Sequence, residues 1–511
     1  MMDDLAKQYV ARHTDDCAHT LVRWWQAAWY ALWTGAFLYW ALYRWDVALA
    51  AANFFFSFWY LSIIAFRSAI GLMSALKPCE IRIGTQALAS LDEKDLPVYT
   101  LLIPLYREAN IADKIIPSLN ALDYPRDKLD IKLLLEADDH ETVDALTRMA
   151  LPSCYEALVI PDSRPKTKPK ACNHGLAGAR GDYCVIYDAE DRPEPDQLKK
   201  AVIAFRQAPL QVACIQAKLN FYNARQNLIA RWFAIEYATT FDIYLPGLQY
   251  ARIPMPLGGT SNHFRTDVLK KIGGWDPFNV TEDCDLGVRI YRAGYSTRML
   301  DSTTWEEACA HLGGWMKQRS RWVKGFFQTH LVHSRTPVRA LRQLGPRGYA
   351  GFLLAVGGSS LMMVLNVFYW LMGGLYLALT AQALAHGHSL REIVRGPREA
   401  LAGSGVWPML YYGPGEDPVW ASLSVFFFVV AIVLFLANFL LVFIHVLACL
   451  KKRMYSFVPF ALIMPLYWVL ISIGAWKGFI QLFTNPFYWE KTMHGRSRED
   501  RQTLARPAPP D

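Results

Sequence analysis

Hydrophobic and polar positions change their spacing several times along the chain, and each change marks a different kind of element. From Ala27 to Tyr43 the residues are apolar and rich in Trp and Tyr, and after Arg44 and Asp46 a charge-free run extends from Val47 to Phe66. Each run is about the ~20 residues a helix needs to cross a bilayer, so 27–66 read as a transmembrane hairpin. Between Pro97 and Thr329 the texture becomes that of a soluble α/β domain, bounded at 97–330. Tyr99–Pro104, Ile131–Leu135, Ala157–Ile160, Tyr183–Tyr187 and Gln211–Ile215 are short apolar runs of strand type. They alternate with helical patterns at Ile111–Leu122, Val143–Leu151 and Asp196–Gln207. That alternation predicts a mainly parallel sheet covered on both faces, with ligands at the carboxyl ends of its strands.

Farther on, Val338, Leu341 and Leu344 recur at helical spacing among Arg335, Arg339, Arg342 and Arg347, which predicts amphipathic helices lying in a membrane interface over 331–362. Gly348–Ala385 carries no charge, is too long for one span and is too short for two, so one span is expected from about Met363 to Ala383. A Gly/Pro-containing external loop, 386–417, leads to Val419–Leu450, which Lys451-Lys452-Arg453 closes. These two spans make up 363–450. Within 451–495, Pro465 and Lys477 interrupt the apolar stretch 458–483, which suits an interfacial segment, a kinked span or a hairpin. The charged, Pro-rich tail 496–511 has the composition of a disordered segment.

Composition narrows the class. The 511 residues are 53% apolar and 14% aromatic, high for a purely soluble protein. The net charge of +8 is not gathered beside any nucleic-acid-binding pattern, so no nucleic acid is expected; it suits lipid headgroups and an anionic substrate. Nine cysteines without a C-x-x-C pair argue against zinc and against a disulfide framework, and for a reducing compartment. Lys7, Arg12 and Arg23 precede the hairpin and Arg67, Lys77 and Arg82 follow it, which puts both its ends, segment 1–26 and the α/β domain in the cytoplasm. No short apolar region with a cleavage site opens the chain, so no removable signal peptide is expected.

The candidate chemistry falls at the predicted strand ends. Pro104, Tyr106 and Glu108 end the first strand, and Glu136 and Asp138 end the second, where base and ribose would sit in a nucleotide-binding sheet. Asp188, Glu190 and Asp191 follow the strand Tyr183–Tyr187, and such clustered carboxylates suit a hard divalent cation or an ordinary acidic turn. Lys168 and Asn173 could reach a phosphate and a sugar, or lie in a solvated loop. Gly259 and Thr260 belong to a compact turn that a ligand could approach closely. Thr281, Glu282 and Asp283 lead into a helix expected near Asp285, which makes Asp283 a candidate base or an N-capping residue. Gln318, Arg319, Arg321 and Trp322 offer an amide, guanidinium groups and a flat ring. They fit an anionic ring-bearing ligand or a basic interfacial helix.

In this order the motifs resemble those of the membrane-integrated family 2 glycosyltransferases of the GT-A fold, a Rossmann-like α/β architecture shared by bacterial cellulose, hyaluronan and chitin synthases. The resemblance covers 97–330, and Pro486-Phe487-Tyr488-Trp489-Glu490-Lys491-Thr492 resembles a bacterial inner-membrane branch. It implies nucleoside contacts at Glu136 or Asp138, and Mg²⁺ or Mn²⁺ and diphosphate at Asp188 with Glu190, or with Asp191 in its place. It further implies a general base at Asp283 and a diphosphate and acceptor clamp at Gln318, Arg321 and Trp322. The implied activity is inverting, processive hexose transfer from a nucleotide-sugar donor, such as a UDP-sugar, to a growing polysaccharide. Export across the bacterial inner membrane, with periplasmic or outer-membrane partners, would accompany it. Alternatives are transfer of one sugar to a lipid-linked phosphate acceptor, and a non-catalytic scaffold or receptor subunit, although every expected acidic position carries a carboxylate.

Overall fold

Every position of the strand Tyr99–Leu105 (β1) is apolar or Thr, and the strand is buried on both faces in the middle of the domain. The structure is a computed structural model and describes residues 2–109, 112–149, 151–387, 389 and 418–488. Nearly all of the expected loop 386–417, the motif beyond Tyr488 and the tail 496–511 lie outside the described residues. Leu101, Ile103 and Leu105 pack on one face with Ile131, Leu133 and Leu135. Leu102 and Leu134 pack on the other against Ala171, Cys172 and Leu176 of the helix Lys168–Ala177. Such two-sided burial gives a parallel strand its continuous apolar sequence.

β1 pairs in parallel with Leu129–Glu136 (β2) and Tyr183–Ile186 (β4), and β2 with Tyr155–Ile160 (β3). The remaining strands are Arg192–Pro193 (β5), Val212–Phe221 (β6), Asn262–Arg265 (β7) and Ser296–Glu306 (β8), in the eight-stranded order β3-β2-β1-β4-β7-β6-β8-β5. The sheet is mainly parallel, as expected, but β7, antiparallel to both β4 and β6, and β5, antiparallel to β8, run against the other strands. β7 and β8 escape sequence reasoning for a physical reason. β7 has one apolar residue in four, and β8 reads STRMLDSTTWE, with polar side chains where the parallel strands carry Leu or Ile. β6 and β8 run parallel, so the carboxyl ends of β1, β2, β4, β6 and β8 share one edge.

Four helices among the described residues are long and apolar enough to cross a bilayer: Val47–Leu76, Pro337–Gln382, Val429–Lys451 and Met464–Thr484. The helix Trp24–Tyr43 has the length but not the hydropathy, because Trp and Tyr supply much of its surface, with Trp24, Trp29, Trp33 and Tyr43 exposed. Pro465 does not kink a span; it occupies the first turn of Met464–Thr484, where its missing N–H costs nothing. The expected amphipathic helix starts at Pro337 and kinks at Gly345 (φ 68°), before Pro346. Its Ala340 and Leu344 are buried while Val338 and Leu341 face outward. A π-helical turn, Leu353–Gly358, then joins it to Ser359–Ala385, so the apolar helix begins upstream of Met363.

Domain and helices share one core, in which Phe233, Trp315, Met464, Tyr467 and Ile471 meet. Met464–Thr484 packs closely along Leu312–His333 because Gly478 has no side chain: a Cβ there would collide with the Ser320 carbonyl. Gly478→Ala is expected to destabilise the protein by about 1–3 kcal/mol through overpacking. Gly373→Ala, where nothing lies within 4 Å of the added methyl, should leave stability unchanged or raised. Thermal unfolding of the two purified variants checks the contrast.

Candidate active site

Glu136 and Glu306 end their strands, Asp188 lies two residues past β4, and all three open onto one cavity of about 360 Å³. Its lining also includes Pro104, Tyr106, Glu108, Lys168, Glu190, Gly259, Thr260, Thr281, Glu282, Asp283, Gln318, Arg319, Arg321 and Trp322. Segments predicted separately thus meet in space. Asp138, Asn173 and Asp191 are not in the lining.

Lys168 sits between the acidic segments. Its ammonium donates to Asp188 Oδ1 (2.5 Å) and to the Gly259 carbonyl (2.7 Å). A methyl placed on Gly259 would lie 3.4 Å from Asp283 Oδ2 and 4.0 Å from Lys168 Nζ, so both side chains border that glycine. Burial opposes the charge on Lys168, but Asp188 and Glu282 outweigh it and hold its pKa above the ordinary lysine range. The helix carrying Asp283 begins at Glu282, three residues earlier than expected, with Thr281 as its flanking residue. The Thr281 hydroxyl does not cap it; it points to Asn279 Oδ1 (3.4 Å). Asp283 Oδ1 accepts from the Cys284 N–H at 2.7 Å. Burial, and then the charge of Glu282, push the Asp283 carboxyl up to about 7.

A second acidic group lies at the strand ends. Asp191 is buried and accepts from the Asp188 N–H (2.8 Å) and the Thr260 hydroxyl, so it braces the turn from behind while Glu190 faces the cavity. Burial and then the charges of Asp188 and Glu190 raise its pKa well above the carboxylate range. Glu306 is raised in the same way by burial and by Asp191, Asp188 and Glu190. Asp191 Oδ1 and Glu306 Oε1 are buried without a hydrogen-bond partner. Among the described residues no three His, Cys, Asp or Glu side chains stand ready-arranged around a cation position. The donor chemistry nevertheless fits one: several carboxylates with orphaned oxygens repel one another, and a hard divalent cation takes oxygen ligands and removes that repulsion.

The cationic wall comes from the helix Leu312–His333. Arg321 is half-buried facing Glu282, Asp188 and Asp283; desolvation lowers its pKa and those carboxylates work against the shift. Gln318 has a buried Oε1 with no partner, and Trp322 stacks on Tyr237 with centroids 6.2 Å apart. Arg319 departs from its expected role. It makes a bidentate pair with Glu236 (both 2.6 Å), so its fork is already filled and it ties the helix to the domain.

Asn173 likewise serves structure: its amide donates to the Trp275 carbonyl (2.7 Å) and accepts from the Trp275 N–H (2.9 Å). Glu136 is paired with buried Lys170 (2.8 Å), whereas Asp138, held by Lys166, keeps a buried Oδ1 without a partner. Of the two expected nucleoside contacts, Asp138 therefore has the open acceptor. Sequence reasoning missed Glu306 and Glu236. Recognising β8 as a parallel strand would have put Glu306 at its carboxyl end; nothing local marks Glu236.

Comparison with known proteins bears on this site. Residues 97–325 match the family model "Glycosyltransferase like family 2". The chain is 29% identical over 240 residues to the probable glycosyltransferase YdaM of Bacillus subtilis (strain 168), covering 45% of this chain and 56% of that protein. It is 26% identical over 246 residues to glucomannan 4-beta-mannosyltransferase 2 of Arabidopsis thaliana, covering 46% and 45% respectively. The chain thus spans about half the length of the curated relatives it matches. Among solved structures it is similar to the mannosyltransferase PcManGT from Pyrobaculum calidifontis in complex with GDP-Man and Mn²⁺, at 20% identity and TM-score 0.44, over 76% of this chain and 96% of that one.

Because Arg319 is buried, Glu236→Gln strands its charge, and a loss of about 3–5 kcal/mol is expected. The double variant Glu236→Met/Arg319→Met, which removes both charges, should recover most of it. Thermal unfolding of the single and double variants decides.

Proposed function

With a glycosyltransferase-like family 2 domain at residues 97–325 as the premise, we propose that this enzyme transfers a hexose, with inversion, from a nucleotide sugar to a glycan held at the membrane. The observation that carries the reading is the cavity that Asp188, Asp283 and Arg321 all line. A UDP-sugar is the donor in this reading, and a mannosyl donor is the variant that the names of the plant relatives suggest.

Asp188 and Glu190 would hold Mg²⁺ or Mn²⁺, which when bound stabilises the charge of the departing nucleoside diphosphate. Arg321 meets the same charge from the helix side. Glu136, which lines the cavity, or Asp138 beside it accepts from the nucleoside, and Trp322 supplies a flat apolar face for the acceptor sugar. Asp283 takes the proton of the acceptor hydroxyl as that oxygen bonds to the anomeric carbon and the diphosphate leaves. A base and a leaving-group stabiliser on different walls favour one displacement, without a covalent intermediate.

A smaller cavity of about 90 Å³ shares Arg67, Glu236, Tyr244, Ser359 and Met363 with the first, and leads among helices that are candidate spans. It supports a path by which the growing glycan leaves the catalytic domain for the far side of a bacterial inner membrane, toward export partners. A second reading, transfer of one sugar to a lipid-linked phosphate, draws support from the guanidinium of Arg67 in that passage.

A base with its pKa at about 7 is protonated, and so inactive, below that pH. Turnover should therefore rise with pH through about 7, changing ~10-fold per unit on the acid limb. Asp283→Asn should lower turnover at least ~10²-fold while donor binding persists. Rates from pH 5.5 to 8.5 with a panel of nucleotide sugars and Mg²⁺ or Mn²⁺ check both, and normal turnover in Asp283→Asn removes it from the mechanism.

A further inference from the structure

Arg67 lies on the helix Trp45–Leu76, within the candidate span Val47–Leu76, and is one of the residues that line both cavities. An arginine near the end of a span ordinarily reaches outward to the headgroups. This one is half-buried and turned to an internal passage. Its guanidinium donates one hydrogen bond, to Ser359 Oγ at 3.3 Å, and stacks 4.8 Å from the Tyr244 ring. Arginine has five N–H donors, so most of this fork has no protein acceptor among the described residues. No carboxylate pairs with it there either: Glu236, on the same passage, is held bidentately by Arg319.

A second, independent feature points to a ligand at this spot. Tyr244 is 8% exposed, lines both cavities, and has a buried hydroxyl that faces Ser359 without making a full hydrogen bond. The backbone is also irregular at this wall. Tyr244 ends the π-helical turn Thr239–Tyr244, and Ser359 follows the π-helical turn Leu353–Gly358. Such turns break the regular helical ladder and are frequent at functional sites. A half-buried guanidinium and an unsatisfied phenol, with a serine hydroxyl whose donation to the Leu354 carbonyl is long at 3.5 Å, together make a site for an anionic oxygen group.

We propose that Arg67, Tyr244 and Ser359 bind an anionic oxygen group, phosphate or carboxylate, carried by the acceptor, beneath the catalytic cavity. The inference rests on the acceptor lying in this passage, as in the function proposed above. Two sources share the chemistry: the phosphate of a lipid-linked acceptor, and the carboxylate of an acidic sugar in a glycan.

The test measures binding, without turnover, to the full-length protein in micelles of an uncharged detergent. The probes are farnesyl phosphate against farnesol, and an oligouronate against the matching neutral oligosaccharide, read by isothermal titration. Wild type should prefer at least one charged probe over its neutral counterpart by ~10-fold or more. Preference for farnesyl phosphate identifies the lipid source, and preference for the oligouronate the acidic glycan. Arg67→Gln should abolish the preference and Arg67→Lys should keep part of it. The proposal is overturned if wild type distinguishes neither pair, a result that needs no variant to fold, or if Arg67→Gln keeps the full preference. Preference without any turnover of nucleotide sugars would instead sink the proposed reaction and leave the anion site standing.

Discussion

One ammonium group holds the acidic side of the pocket together. Lys168 contacts Asp188 and the Gly259 carbonyl, and its charge offsets part of the upward push on the Asp283 carboxyl. Three turns far apart in sequence are thereby drawn to one point. Without that charge, Asp188, Glu282 and Asp283 would face one another with Arg321 alone to offset their repulsion, and like charges removed from water are costly. Even with it the balance is incomplete, since Asp283, Asp191 and Glu306 all have raised pKa values. The sign of the linkage follows. A carboxyl whose folded pKa is raised to about 7 lowers stability increasingly as pH rises from the ordinary carboxyl range to that value. This is the kind of strain a site carries when its groups are placed for a charged ligand.

The opposite wall is fixed from the helix bundle. Arg319 fastens Leu312–His333 to the domain through Glu236, and Tyr467 donates to the same carboxylate at 2.7 Å. Gly478 lets Met464–Thr484 lie against that helix at backbone distance. Gly325 does the same on the other side, where the Thr281 side chain fills the space a Cβ would need. Arg321, Trp322 and the start of the helix bearing Asp283 are thus set by one packed stack that runs from the apolar helices to the sheet edge.

Much of this was legible from sequence. Continuous apolar runs reported β1, β2, β4 and β6, because strands buried on both faces have no polar alternation to obscure them, and a shorter run reported the edge strand β3. The carboxylates at Asp188 and Asp283, and the Gln318 to Trp322 stretch, stood out because strand ends and helix starts are where side chains converge. Illegible parts depended on partners distant in the chain. Arg319 and Arg321 look equivalent in sequence, and only Glu236, more than eighty residues away, makes one structural. Asn173 reads as a ligand group until the Trp275 backbone claims both ends of its amide. Glu306 was hidden by β8, whose polar side chains do not announce a strand.

A cryo-electron microscopy map of the protein with Mn²⁺ and a non-transferable nucleotide-sugar analogue tests the central claim, that the acidic sheet edge and the basic aromatic helix enclose one donor site. The account predicts the diphosphate between Asp188/Glu190 and Arg321, with the anomeric carbon open to the Asp283 carboxylate. A nucleotide bound elsewhere, or Asp283 turned away with no space for a hexose between it and Asp188, would contradict it.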